Sequence, residues 1–148
     1  MSVEIERKFL VVNDDYKRMA TANHRIVQGY LSTDPLATVR VRVLDSHAFV
    51  TIKSKTVGCT RGEWEYPVPV ADAEEMLALC RAKIEKTRWI APFDGHTWEV
   101  DEFGGRLDGL VIAEIELPSE DAPFAVPPFA GREVTGDPQY YNSNLARQ

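Results

Sequence analysis

Seven times along this chain, two charged residues of one sign stand two positions apart inside a run that alternates as a β-strand does. The pairs are Glu4 and Glu6, Arg40 and Arg42, Lys53 and Lys55, Glu63 and Glu65, Lys86 and Arg88, Glu99 and Asp101, and Glu114 and Glu116. In a strand, residues i and i+2 project from the same face, so each pair faces one way while the residue between them (Ile5, Val41, Ser54, Trp64, Thr87, Val100 or Ile115) faces the other. For a single strand, a solvated outer face explains this well enough. An ordinary solvent face, however, mixes Ser, Thr, Asn and Gln with its charges. Here like charges recur on strand after strand, and like charges on one face repel. The chain must therefore fold so that these faces meet something of opposite sign.

The strands read from period-two alternation and β-branched content are residues 2–12, 24–32, 37–44, 47–55, 62–68, 84–92, 97–103 and 110–117. Turn chemistry separates them at Asp45-Ser46, Asp94-Gly95 and Gly104-Gly105. Two helices are predicted. Asn13 caps residues 14–20, and Asp72 with Glu75 forms a capping box that opens a helix through about Arg81, with Met76, Leu77, Leu79 and Cys80 on its apolar side. The four prolines within 118–130 exclude a central strand or long helix and leave a packed loop leading into the tail. Many strands, few helices and hairpin-length connections predict a mainly β (α+β) fold, an antiparallel sheet closed into a barrel. At 148 residues, without repeat or linker, the chain reads as a single domain over 1–148.

Brought together, acidic pairs attract a hard divalent cation that takes carboxylate oxygens and keeps several waters. Basic pairs attract a polyanion, which Arg reads with two N–H groups and Lys as a point charge. Two like charges about 4 Å apart repel by roughly 4 kcal/mol at the effective dielectric near a protein surface. A lumen full of them favours a bound metal–polyanion complex. The net charge of −6 argues against a nucleic-acid partner. No apolar run reaches membrane-spanning length, and the charged N-terminal stretch lacks a secretion signal, so a cytoplasmic protein is expected. Cys59 and Cys80 have no metal spacing, and neither do His24, His47 and His96. No Gly-rich phosphate loop is present.

The opening V-E-I-E-R-K-F, with Glu4, Glu6 and Lys8, resembles the E-x-E-x-K signature of the CYTH, or triphosphate tunnel metalloenzyme, family. The later elements follow in that family's order: R-V-R, T-I-K, R-G-E-W-E, K-T-R, W-E-V-D-E-F and A-E-I-E-L, then a tail similar to that of its short bacterial members. The resemblance implies an eight-stranded antiparallel β-barrel forming a tunnel, with a few flanking helices, that holds Mg²⁺ or Mn²⁺ (one or two ions) and a triphosphate. It implies Glu4, Glu6, Glu114 and Glu116 as metal ligands, with Glu63, Glu65 and Asp101 behind them. Phosphates would be held by Lys8, Arg40, Arg42, Lys53, Lys86 and Arg88, with Arg132 closing one end. The chemical step is expected of Lys8, Lys86, Glu65 and Tyr30, with Tyr30 placed on an antiparallel neighbour within approach of Lys8 and core packing of its ring as the alternative.

Where organic-triphosphate enzymes of the family are expected to carry a D-x-Y-[FY] element, this chain has Gln28-Gly29-Tyr30-Leu31. Inorganic triphosphate is therefore the expected substrate of a monomer or homodimer. Thiamine triphosphate or ATP, used by a hydrolase or cyclase, is the alternative, and polyphosphate binding without turnover is the third reading.

Overall fold

The computed structural model of the chain describes residues 2–148. Its strands are β1 (Val3–Val11), β2 (Ala22–Ser32), β3 (Ala37–Leu44), β4 (His47–Ser54), β5 (Thr60–Val68), β6 (Ala82–Phe93), β7 (His96–Phe103), β8 (Val111–Glu116) and β9 (Ala130–Glu133). Every pairing is antiparallel, in the order β5-β4-β3-β2-β6-β7-β8-β1, and β1 pairs back to β5 to close an eight-stranded barrel. Closure leaves no free sheet edge around the wall.

β1 carries the closure. One edge bonds β8 through residues 6–10, while the other meets β5 through Val3–Ile5 and then β9 at Phe9 and Val11. The ninth strand is an addition to the sequence expectation. At four residues it is too short to show an alternation of its own, and it forms because β1 outruns β5.

The apolar core lies outside the barrel. Phe9, Trp98, Val100, Ala113 and Ile115 point outward and pack under Tyr16 of α1 (Asp15–Met19) and Phe124 and Phe129 of the proline-rich loop. Edge-to-face contacts of Trp98 with Phe9, Phe124 and Phe129, at 5.5–6.1 Å, fix this layer. Asn13 does serve the start of α1, its Oδ1 accepting from the Asp15 N–H.

The second helix, α2 (Val70–Leu79), covers the β2–β3–β4 wall through Ala73, Met76, Leu77 and, at its end, Cys80. It begins two residues before the expected capping box, with Pro69 at the N-cap and no side-chain cap bond, so Asp72 sits in the first turn. Leu79, expected on its apolar side, is exposed. Lys55 likewise falls past the end of β4 and is exposed, so its pairing with Lys53 on one strand face does not form.

Inside, charged residues fill most of the lumen, but one stretch is apolar. Phe103 lies opposite Lys86 and Ile112 opposite Asp101 in register, so both share the inward face with charge. With Tyr30 and Ile84 they receive Leu145 of α3 (Asn142–Leu145) and Ala146, and the tail closes that end of the barrel.

Gly29, outward on β2, lets α2 approach closely: a Cβ there would stand 2.8 Å from Cys80 Cβ and Sγ. Gly29→Ala is expected to lower the urea midpoint, costing about 1–3 kcal/mol by overpacking. An unchanged midpoint would show that α2 has slack.

Candidate functional site

The lumen holds a cavity of about 400 Å³, within the roughly 300–1,000 Å³ range of small-molecule sites. All seven of the sequence pairs except Lys53–Lys55 and Glu99–Asp101 contribute both members to its lining, and Lys53 and Glu99 contribute singly. Strand alternation predicted this convergence, and closure of the barrel produces it.

On the basic wall, Arg40 and Arg42 of β3 face Lys86 and Arg88 of β6 with β2 between them. Arg88 grips Asp101 with two parallel N–H bonds, 2.8 and 2.9 Å, and reaches Glu99 at 3.1 Å. Lys86 Nζ donates to Asp101 Oδ2 at 2.7 Å and to Asn142 Oδ1 at 3.0 Å. Burial, only partly opposed by Asp101 and reinforced by Arg88 and Arg42, draws the Lys86 amine down to about 7.

Arg42 is held by Gln28, whose Oε1 accepts from Nε at 3.0 Å. Burial, then Arg40 and Arg88, draw Arg42 down to about 9. Arg40 donates to Thr51 Oγ1 and Glu65 Oε2, yet its buried Nε has no partner. This wall has more cation than its own carboxylates neutralise, and an orphaned guanidinium N–H fits a phosphate oxygen.

The acidic wall is built by β1 and β8. Glu6 stands directly opposite Glu116, and Lys8 opposite Glu114. Burial, then Glu114 and Glu4, push the Glu6 carboxyl up to about 8. Glu116 is raised as well, by burial and by Glu4 and Glu99. For Glu114, Lys8, Arg88 and Lys86 outweigh burial and bring it down to about 2; Lys8 Nζ lies 3.8 Å away.

Glu4 is held far below the usual carboxylate range, because Lys53 and Arg61 overcome the cost of its burial; each stands 3.1 Å from it. Lys53 also reaches Glu63 at 3.2 Å. The opposed carboxyls of Glu6 and Glu116 form an all-oxygen donor set suited to a hard divalent cation, which would favour their ionised form. Among the described residues no trio of metal-ligating groups is already drawn together. Mg²⁺ does not require one, since it binds through one or two carboxylates plus substrate phosphates.

Three sequence expectations need correction. Asp101 is fully buried beneath the lumen with both oxygens engaged by Arg88 and Lys86, so it is their counterion and has no lone pairs turned to a metal. Arg132 lies on the exposed β9 and does not line the cavity. Tyr30 lines the cavity, but from β2, which pairs with β3 and β6 and not with β1; its hydroxyl accepts from Gln28 Nε2 at 3.0 Å.

Sequence reasoning read Arg61 in the R-G-E-W-E element but gave it no role, because its neighbour at i+2, Glu63, has the opposite sign and no like-charge doublet forms. It missed Thr135 and Tyr141–Ser143, which enter the lining from the tail. Their one signal was a polar cluster around Asn142 in a segment without periodicity.

A CYTH domain model matches residues 2–145. An inorganic triphosphatase of Acetivibrio thermocellus is 51% identical over 150 residues, covering 99% of this chain and 95% of that protein. An inorganic triphosphatase of Nitrosomonas europaea is 38% identical over 149 residues, covering 97% and 96%. A solved inorganic triphosphatase structure superposes with a TM-score of 0.70 at 36% identity, covering 100% of this chain and 97% of that one.

Asp101→Asn would leave Arg88 and Lys86 buried without their shared counterion, and is expected to destabilise the fold by about 3–5 kcal/mol. Urea denaturation tests this, and a wild-type midpoint would show that the triad carries no structural weight.

Proposed function

The chain belongs to the CYTH domain family, and on that premise we propose that it hydrolyses inorganic triphosphate to phosphate and pyrophosphate inside the barrel. One observation carries the reading: a closed lumen in which guanidinium groups without carboxylate partners, Arg42 and the Arg40 Nε, share one cavity with the crowded carboxyls of Glu6 and Glu116. Two similar full-length relatives carrying the inorganic triphosphatase name support it. The lining beside the basic wall also carries Leu44, His47 and Phe49, but Gln28, a residue that departs from the organic-triphosphate pattern, is spent holding Arg42 and Tyr30. That favours a substrate without an organic group.

Glu6 and Glu116, with Glu114 and Glu4 beside them, would hold Mg²⁺ or Mn²⁺, which supplies charge neutralisation and water activation when bound. Arg40, Arg42, Arg88, Lys8 and Lys53 hold the phosphate oxygens and neutralise charge developing on the leaving pyrophosphate. Water attacks the terminal phosphorus in line as the bridging P–O bond breaks, and its proton passes to a base.

Lys86 suits that role. A neutral amine has two N–H groups, and Asp101 and Asn142 accept both, which leaves the lone pair for the water proton. Glu65 is the weaker candidate, since one of its oxygens already accepts from Thr51 at 2.7 Å and from Arg40 at 3.2 Å. The protein acts in the cytoplasm in this reading, and no helix of the described residues is long and apolar enough to cross a membrane.

Phosphate release with Mg²⁺ from tripolyphosphate, ATP and thiamine triphosphate, run side by side, tests the reading. Tripolyphosphate is expected to be the preferred substrate, and no turnover of it would sink the proposal. Glu6→Gln is expected to abolish turnover while the metal-free melting temperature holds or rises, because an amide replaces a carboxyl whose ionised form burial and neighbouring carboxylates already disfavour; an unfolded variant would make the charge structural.

The pH dependence follows from Lys86. Its amine titrates near 7 in the fold against about 10.4 unfolded, so the neutral form gains above pH 7, and stability rises with pH across that window. We expect kcat/KM to rise through a limb near pH 7. Lys86→Arg, protonated throughout, should remove the limb and cost roughly 10²–10⁴ in rate. A limb that survives this change would exclude Lys86 as the base.

A further inference from the structure

The tail that closes the barrel does more than plug it. Tyr141, Asn142 and Ser143 line the cavity, and two of the lumen's lysines bond the same segment: Lys8 Nζ to the Tyr140 carbonyl at 3.1 Å and Lys86 Nζ to Asn142 Oδ1 at 3.0 Å. Lys86 directs an N–H at this position whether charged or neutral, its lone pair when neutral being kept for the water proton, so the Asn142 oxygen is the atom that faces it. Its Nδ2, with two N–H donors, is then the other end of a planar amide whose side chain borders the lumen. Among the described residues, the bond from Lys86 is the one that engages this side chain.

We propose that Asn142 is a substrate-contacting residue, its Nδ2 donating to an oxygen of the terminal phosphate while its Oδ1 positions Lys86. The inference rests on the triphosphatase reading of the same cavity. A neutral donor suits this place, because the phosphate end has oxygens left for N–H groups beyond the lumen's cations, and a planar amide fixes direction where a lysine ammonium does not. The segment's fold does not depend on this side chain. Leu145 and Ala146 are buried against Tyr30, Ile84, Phe103 and Ile112, Arg106 donates to the carbonyls of Leu145 and Ala146, and Asn144 donates to the Pro138 carbonyl at 2.8 Å.

Asn142→Asp separates this role from a structural one. The aspartate keeps an acceptor for Lys86 but turns a carboxylate oxygen, not a donor, toward the phosphate. Calorimetric titration with an imido-bridged, non-hydrolysable triphosphate in Mg²⁺ is expected to give a dissociation constant raised roughly tenfold or more in Asn142→Asp, with an unchanged melting temperature. Asn142→Gln, which retains the donor, is expected to recover part of the loss.

Wild-type affinity in Asn142→Asp would overturn the proposal and leave a Lys86 acceptor as the residue's sole role, as would absence of binding to the unaltered protein. Tripolyphosphate turnover measured in parallel distinguishes the two readings. Wild-type turnover with unaltered Asn142→Asp affinity sinks only the contact. Binding that Asn142→Asp weakens, without wild-type turnover, sinks only the hydrolase.

Discussion

Asp101, buried with no exposed atom, is the group on which the rest of the lumen depends. It holds Arg88 through a two-bond fork and Lys86 through a single short bond. Removing three charges from water costs several kcal/mol per ion, and their mutual attraction only roughly repays it. An apolar trio of similar volume would stabilise the barrel at least as well. What the triad provides is placement: one guanidinium and one amine fixed at the base of a cavity, the amine so desolvated that it loses its proton near neutrality. The same environment leaves Arg42 without a carboxylate partner of its own. Unspent positive charge on this wall then faces the carboxyls of Glu6 and Glu116, both raised by burial and neighbouring carboxylates and so ready to ionise toward a bound cation.

Such a lumen is tolerable only because stability is supplied elsewhere. The barrel is turned inside out relative to a small packed barrel, with its aromatic core between the outer wall and the elements that wrap it. Trp98 anchors that layer through three edge-to-face contacts, and α2 seals a second apolar patch over Val41 and Ala48. Because the hydrophobic surface is buried outside, the inner face is free to carry chemistry. The mechanical link between the two is β1, which presents Glu4, Glu6 and Lys8 inward while its other face packs Phe9 under the proline-rich loop.

The tail gives the cavity one end. Its apolar residues fill the lumen beside Phe103 and Ile112, while Asn142 bonds the amine that Asp101 holds from below. The segment that closes the barrel therefore also contacts the chemistry, so closure and alignment of Lys86 are one arrangement. Glu120 fastens the β4–β5 connection at this end, accepting from Thr60 Oγ1 at 2.7 Å beside the Gly58 turn, which lies against Gly136 of the tail.

The sequence alone determined the strands, their inward faces and the sign of each face, because side-chain direction in a strand follows from position with a period of two. Nearly every doublet read from it lines the cavity, and the family signature extends that reading to the whole chain. Tertiary structure decided how those charges pair. Glu99 and Asp101 look alike as a doublet, yet one borders the cavity and the other lies beneath it as a counterion, because only the register with Arg88 sets which carboxylate is covered. Arg132 looked like a tunnel residue, and β9 turned it outward. The tail's part was unreadable for the same reason. Tyr140–Ser143 have no periodicity of their own, and they reach Lys8 and Lys86 only because the barrel brings residues far apart in sequence to within hydrogen-bonding distance.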